Sequence, residues 1–114
     1  MELEETFEYE FSFSQEDVNN FSKVTGDDNP IHIDEGKAKK SIFQKRIIHG
    51  FLSGSVFSKV FGTMWPGNGT IYLSQNMNFI KPMYPSQKYI AKFVIIEVLP
   101  KNKFLVKTTI TNIE

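Results

Sequence analysis

Over residues 50–64, apolar side chains recur on almost every side of a helical pattern. Phe51, Leu52, Val56, Phe57, Val60, Phe61 and Met64 cover most of the circumference, and Ser53, Gly54 and Ser55 are small. A helix that is apolar nearly all round belongs inside a protein rather than on its surface. The rest of the chain must therefore supply a cover for it. Trp65-Pro66-Gly67-Asn68-Gly69 breaks the helix sharply. Downstream, the pattern predicts strands over residues 70–79, 88–99 and 103–113. Lys81-Pro82 to Ser86 joins the first two, and Pro100-Lys101-Asn102 joins the last two as a hairpin. Upstream, Phe7, Tyr9, Phe11 and Phe13 alternate with Glu8, Glu10 and Ser12, which predicts a half-buried strand over residues 6–13. One strand, one buried helix and a run of antiparallel strands make an α+β plan. The economical form is a strongly curved antiparallel sheet wrapped around the central helix. At 114 residues the chain is expected to be a single domain with one packed core. One sheet on one helix leaves an edge and an outer face, so a homodimer is expected.

Charge and composition narrow the function classes. Thirteen basic and thirteen acidic side chains cancel, leaving no electrostatic footprint for nucleic acid or an anionic membrane. The absence of cysteine excludes a disulfide framework and a cysteine nucleophile, and it fits a reducing compartment. No apolar run approaches the roughly 20 residues of a spanning helix. The start, Met1-Glu2-Leu3-Glu4-Glu5, is acidic, the reverse of a signal peptide. A soluble, cytoplasmic protein is expected.

Two short helices flank a polar loop. Ser14, with Asp17 three residues later, resembles a capping box, and Val18, Phe21 and Val24 recur at helical spacing until Gly26. Asp34 is placed to cap a second helix running through Ala38 to about Ser41, with Lys37, Lys39 and Lys40 as a solvated basic face. Between them, Thr25-Gly26-Asp27-Asp28-Asn29-Pro30-Ile31-His32-Ile33-Asp34 concentrates acids, an amide and one of only two histidines. Pro30 donates no backbone hydrogen bond, and Asp and Asn side chains compete for backbone partners, so no regular helix crosses this stretch. On an irregular loop Asp27 and His32 can converge on one small volume, as a general base and a general acid must. The alternative reading of the same residues is structural: Asp27 caps a turn and His32 satisfies a backbone carbonyl.

Other chemistries find less support. A metal at His32-x-Asp34 lacks the three or four N/S ligands of a zinc site, and no metal is expected. Ser53, Ser55 and Ser58 invite a Ser-His-Asp reading, but no Gly-x-Ser-x-Gly elbow follows a strand. His49-Gly50 opens the buried helix. There the first N–H groups lack internal partners, and a glycine lets a ligand oxygen come close. That is one way to build an oxyanion site for a thioester carbonyl. Equally, Gly50 serves simply to permit the turn. Ser58, two turns further on, has the bland reading of a hydroxyl bonded to its own helix.

The residues Gly26-Asp27-Asp28-Asn29-Pro30-Ile31-His32-Ile33-Asp34, then Ala38, then Ile48-His49-Gly50, resemble the hydratase motif of the MaoC-like (R)-specific enoyl-CoA hydratases. Gly69-Thr70-Ile71-Tyr72-Leu73-Ser74-Gln75 and Phe79-x-x-Pro82 also look like that family, and the likeness keeps its order from about residue 11 to residue 99. The resemblance implies a hot-dog fold and reversible hydration of trans-2-enoyl-CoA to (R)-3-hydroxyacyl-CoA. By that resemblance Asp27 activates the water that attacks C3 and His32 handles the proton at C2. Gly50 N–H polarises the thioester carbonyl, Ser58 matches a further polar position, and Asn29 orients the loop or a catalytic group. No cofactor is implied, since coenzyme A is part of the substrate, and the acyl tunnel is expected near a homodimer interface. Two departures stand out. Ser86-Gln87 replaces a common Gly-Asp turn, and the sequence stops at Glu114 where the family usually continues through one more strand. The expectation is a sheet one strand short or a truncated form. Alternatives are a dehydratase acting on acyl carrier protein thioesters, a non-catalytic acyl-binding module, and a thioesterase, which does not require this loop.

Overall fold

The computed structural model describes residues 1–113. In chain order the elements are β1 (Thr6–Phe11), α1 (Gln15–Thr25), α2 (Pro30–Ile33), α3 (Glu35–Lys39), α4 (Gly50–Thr63), β2 (Tyr89–Leu99) and β3 (Lys103–Asn112). They divide into two compact units, one holding residues 1–11, 56–74 and those from 88 onward, the other residues 12–55 and 75–87. The first half of α4 belongs to the second of these, and the remainder, from Val56, to the first.

The sheet unit follows from strict alternation. Strands β1, β2 and β3 form an antiparallel sheet with β2 in the middle. Tyr89, Ala91, Phe93 and Ile95 point to one face of β2 and are each 2 % exposed or less, as a period of two requires. A bulge between Ile95 and Glu97 interrupts the pairing with β3, and past it Ile96 and Val98 are exposed. Phe93 is the centre of an aromatic cluster: its ring lies 5.7 Å from Phe57, 5.3 Å from Phe61 and 6.0 Å from Trp65. The Trp65 indole stacks on Phe7 at 5.7 Å, and its N–H donates to Glu5 Oε2 at 2.9 Å. The hairpin turn puts Lys101 and Asn102 at φ 65° and 57°, the left-handed pair that matches strand twist in a tight connection.

The helical unit is set by its caps. Ser14 Oγ accepts from Asp17 N–H while the Asp17 carboxylate accepts from Ser14 N–H, the reciprocal box anticipated from sequence. Gly26 closes α1 at φ 80°, a conformation open to glycine at little cost. Asp34 caps α3 through Lys37 N–H. Val18, Ile48 and Leu52 form the core here, with Phe13, Phe21 and Met83 packed on it. Ile48 N–H donates to the Met83 carbonyl at 2.8 Å, tying the chain before α4 to the 75–87 segment.

Four expectations change. Within the loop expected to be irregular, Pro30–Ile33 forms the single helical turn α2, because Asn29 caps it and Pro30 falls at its first position. The first strand ends at Phe11, because Phe13 turns into the helical core and Ser14 already caps α1. Residues 70–79 form no strand: the described sheet contains only β1, β2 and β3, and Ile71 and Leu73 are 77 % and 69 % exposed. Alternation marks a strand only when a ladder is completed along it, and no strand is formed over this run. Helix α4 is buried on one side only. Leu52, Ser53, Val56, Phe57 and Val60 are covered, whereas Phe51 is 69 % and Met64 41 % exposed. Phe51 lies in a stripe with Ser55, Ser58, Lys59 and Gly62, a face too small and polar to draw a covering layer from this chain.

The placement of Phe93 has a measurable consequence. Phe93→Ala is expected to lower unfolding free energy by about 3–5 kcal/mol in urea titrations. Phe51→Ala, on the exposed stripe, should cost less than about 1 kcal/mol. Equal losses would contradict these burial assignments.

Candidate active site

The loop that carries the site is built from local hydrogen bonds. Thr25 Oγ1 donates to the Phe21 carbonyl at 2.8 Å and accepts from Asp27 N–H at 3.1 Å, turning the chain as α1 ends. Asn29 Oδ1 accepts from Ile31 N–H at 3.2 Å and so caps α2. Pro30 follows at the first helical position, where a missing N–H costs nothing. This single turn carries His32. Its Nδ1 lies 2.8 Å from the Ile47 carbonyl oxygen. A carbonyl only accepts, so Nδ1 bears the proton and donates, and Nε2 of the neutral ring keeps a free lone pair. Gln15 Nε2 donates to the His32 carbonyl at 2.8 Å and holds the turn from the α1 side.

His49 is the second imidazole, 2 % exposed. Its Nε2 lies 3.1 Å from the Asp27 carbonyl oxygen and 2.9 Å from Ser22 Oγ. By the same reasoning Nε2–H is the donor, and Nδ1 remains buried without a partner. The ring packs against Phe21, at 4.7 Å and tilted by 55°, and against His32, stacked at 3.9 Å with 27° between planes. Asp27, His32 and His49 each offer an oxygen or nitrogen within 4.8 Å of the others. Stacked rings aim their in-plane lone pairs side by side rather than at a common point, an arrangement poorly matched to a tetrahedral ion. Burial pushes the His49 pKa below its ordinary 6.5 and the neighbouring His32 charge adds to that, against the opposing pull of the Asp27 carbonyl bond and carboxylate. His49 is therefore neutral at pH 7.

Gly50 opens α4 directly after His49. A Cβ there would lie 2.7 Å from the Phe79 ring, and one at Gly54 would lie 2.5 Å from Met77 Sδ. Four helical residues advance about 6 Å and two extended residues about 6.6 Å, so glycines at 50 and 54 match side chains at 77 and 79. The close approach expected at Gly50 is thus made by a side chain of this chain.

Of the residues singled out by sequence, Asp27, Asn29, His32 and Gly50 lie in the helical unit. Asp27 and His32 are within reach of one another, and Asn29 is their loop's cap. Ser58 is an exposed residue of α4 in the sheet unit. Sequence reasoning passed over His49 as a member of the cluster, and also Ser22 and Gln15, which brace the two imidazoles. The one available signal was that His49 is the only other histidine and abuts Gly50.

A carboxylate and a tautomer-fixed imidazole lie on one loop beside a buried second imidazole, residue types that are able to exchange protons with a bound water or substrate. The family model described as "MaoC like domain" matches residues 2–113, and this chain belongs to that family. It is similar to the 3-hydroxybutyryl-CoA dehydratase of Methylorubrum extorquens, 38% identical over 90 residues, which are 79% of this chain and 57% of that protein. The (R)-specific enoyl-CoA hydratase of Rhodospirillum rubrum is 35% identical over 101 residues, 88% of this chain and 70% of that protein. The match thus spans little more than half of the first relative's length. The solved (R)-hydratase from A. caviae involved in PHA biosynthesis superposes with a TM-score of 0.93 at 27% identity, covering 98% of this chain and 86% of that one. The fold is the α+β hot-dog fold that the sequence led us to expect. No helix among the described residues is long and apolar enough to cross a membrane.

A lowered His49 pKa makes stability depend on pH in a defined direction. The unfolded chain takes up a proton at about pH 6.5, before the folded protein does, so His49 contributes its full stability above that pH and loses it as pH falls through the lowered value. Thermal melts should show Tm falling between about pH 7 and pH 5. In a His49→Gln protein this part of the slope should disappear. An unchanged slope would mean that His49 does not titrate as described.

Proposed function

We propose that this chain catalyses the reversible hydration of trans-2-enoyl-CoA to (R)-3-hydroxyacyl-CoA, within fatty-acid or hydroxyalkanoate metabolism, as a hydro-lyase. The observation that carries the reading is the pairing of the Asp27 carboxylate with a His32 ring whose free nitrogen is selected by the Ile47 carbonyl. Between them the two groups hold one water. Its oxygen bonds to C3 as one of its O–H protons passes to the bare Nε2 of His32 and on to C2, while the Asp27 carboxylate accepts a hydrogen bond from the O–H that stays on the new hydroxyl, so that H and OH reach the same face of the double bond. The electron pair released at C2 is shared with the thioester carbonyl. Gly50, at the first position of a 14-residue helix, has an N–H without an internal partner and the favourable end of the macrodipole to steady that oxygen. Asn29 acts by capping the turn that carries His32. Ser58 is a further polar contact by resemblance alone. No cofactor takes part, since coenzyme A travels with the substrate.

A dehydratase acting on acyl carrier protein thioesters uses the same chemistry and differs only in what carries the acyl chain. The working unit of the proposal is a homodimer. Ile71, Leu73 and Ile80 are large apolar side chains left exposed, and a second copy is a natural cover for them.

Mixed with crotonyl-CoA, the protein should remove the ultraviolet absorbance of the conjugated thioester. Asp27→Asn and His32→Ala should each slow this by ~10²–10⁴, the range for loss of one acid–base group. Full activity in both variants would falsify the assignment. A matching series of carrier-protein thioesters decides the carrier, and light scattering on an eluting peak at twice the 13.2 kDa chain mass tests the dimer.

A further inference from the structure

We infer that His49 is a positioning residue for the acid–base pair: its Nε2–H pins the main chain of Asp27 while its ring face sets the plane of His32. The inference rests on the reading of Asp27 and His32 given above. His49 itself is 2 % exposed, so its action is through its neighbours.

Three contacts carry the argument. First, Nε2–H donates to the Asp27 carbonyl oxygen at 3.1 Å. That bond ties the backbone of an otherwise exposed loop residue to a buried side chain, and the Asp27 carboxylate departs from that same backbone. Second, the His49 ring stacks on His32 at 3.9 Å. His32 is held by its Nδ1–H to Ile47, which together with its Cβ–Cγ bond leaves only the tilt that the hydrogen bond's angular tolerance permits. A face stacked against the ring narrows that tilt. Third, the Phe21 ring packs against His49 at 4.7 Å and Ser22 Oγ lies 2.9 Å from its Nε2, so further contacts brace the platform.

The chemistry of the imidazole explains why this residue type stands here. The Asp27 carbonyl demands a donor at Nε2. Nδ1 is buried without a partner, so a proton there would be an unsatisfied donor, and the ring must stay neutral. A neutral imidazole supplies a flat face and one N–H in its plane without placing a second charge against His32. Phenylalanine offers the face and no donor. Glutamine offers a donor near the position of Nε2 and no aromatic face.

The test compares His49→Phe and His49→Gln with the wild-type protein in crotonyl-CoA hydration, alongside circular dichroism to measure the folded fraction. Misplacing a reacting group by about 1 Å costs about 10²-fold. His49→Phe should therefore lose about 10–100-fold in kcat per folded molecule with KM within about threefold, and His49→Gln should recover a large part of that loss. If kcat per folded molecule is unchanged in His49→Phe, or if kcat and KM worsen together, the inference is overturned. If His49→Phe does not fold, the wild-type protein decides. Long-range ¹⁵N–¹H correlation at pH 7 should find His49 neutral with the proton on Nε2, and His32 with its proton on Nδ1. A cationic His49, or the Nδ1–H form, overturns the inference. An inactive wild-type protein would instead count against the proposed reaction, and the NMR result would still judge His49 by itself.

Discussion

Helix α4 is the constraint that the rest of the chain accommodates. It is 14 residues long and carries apolar side chains that water would otherwise hydrate, at a cost of about 1.5–3 kcal/mol for each large one left exposed. Its two halves are served separately. Leu52 joins Val18 and Ile48 in the helical core, while Val56, Phe57 and Val60 go to the sheet side, where Phe57 meets Phe93 edge-on. Glycines at 50 and 54 make room along the first half for Phe79 and Met77. The same helix start that the core requires places Gly50 directly after the buried His49.

Around that start, two backbone carbonyls choose the protonation pattern. Ile47 takes the Nδ1–H of His32, and Asp27 takes the Nε2–H of His49. Neither carbonyl can donate, so each leaves the opposite nitrogen bare. On His32 that bare nitrogen is at a partly exposed ring beside a carboxylate, and on His49 it is sealed inside. Two identical side chains stacked face to face thus acquire different tasks from their surroundings. Desolvation keeps the inner one neutral and spares the outer one a neighbouring charge.

How far the sequence was readable depended on whether a signal was local. The Ser14–Asp17 box, the Gly26 stop, the Asn29 and Asp34 caps and the hairpin at Lys101-Asn102 are all recognisable from side chains within three residues of the backbone groups they satisfy. Nothing distant could override them. Residues 70–79 alternate as well as β1 does, yet a strand exists only with a partner, and the partner is not a property of the run itself. Phe51 and Met64 failed differently. Helical periodicity says which residues share a face, but not whether another element covers that face.

By itself the sequence determined the types and approximate bounds of three helices, α1, α3 and α4, and of three strands, but not the single turn α2. It also placed Asp27 and His32 on one polar loop, because caps, breakers and periodicity act over a few residues. Tertiary structure alone decided that His49, separated from Asp27 by 22 positions, closes on that loop. It also decided which nitrogen of each imidazole is free, since both choices are made by carbonyls distant in sequence. Those contacts depend on where α1 and the start of α4 come to rest, and that is settled by burial of Val18, Ile48 and Leu52, not by any pattern legible around the histidines.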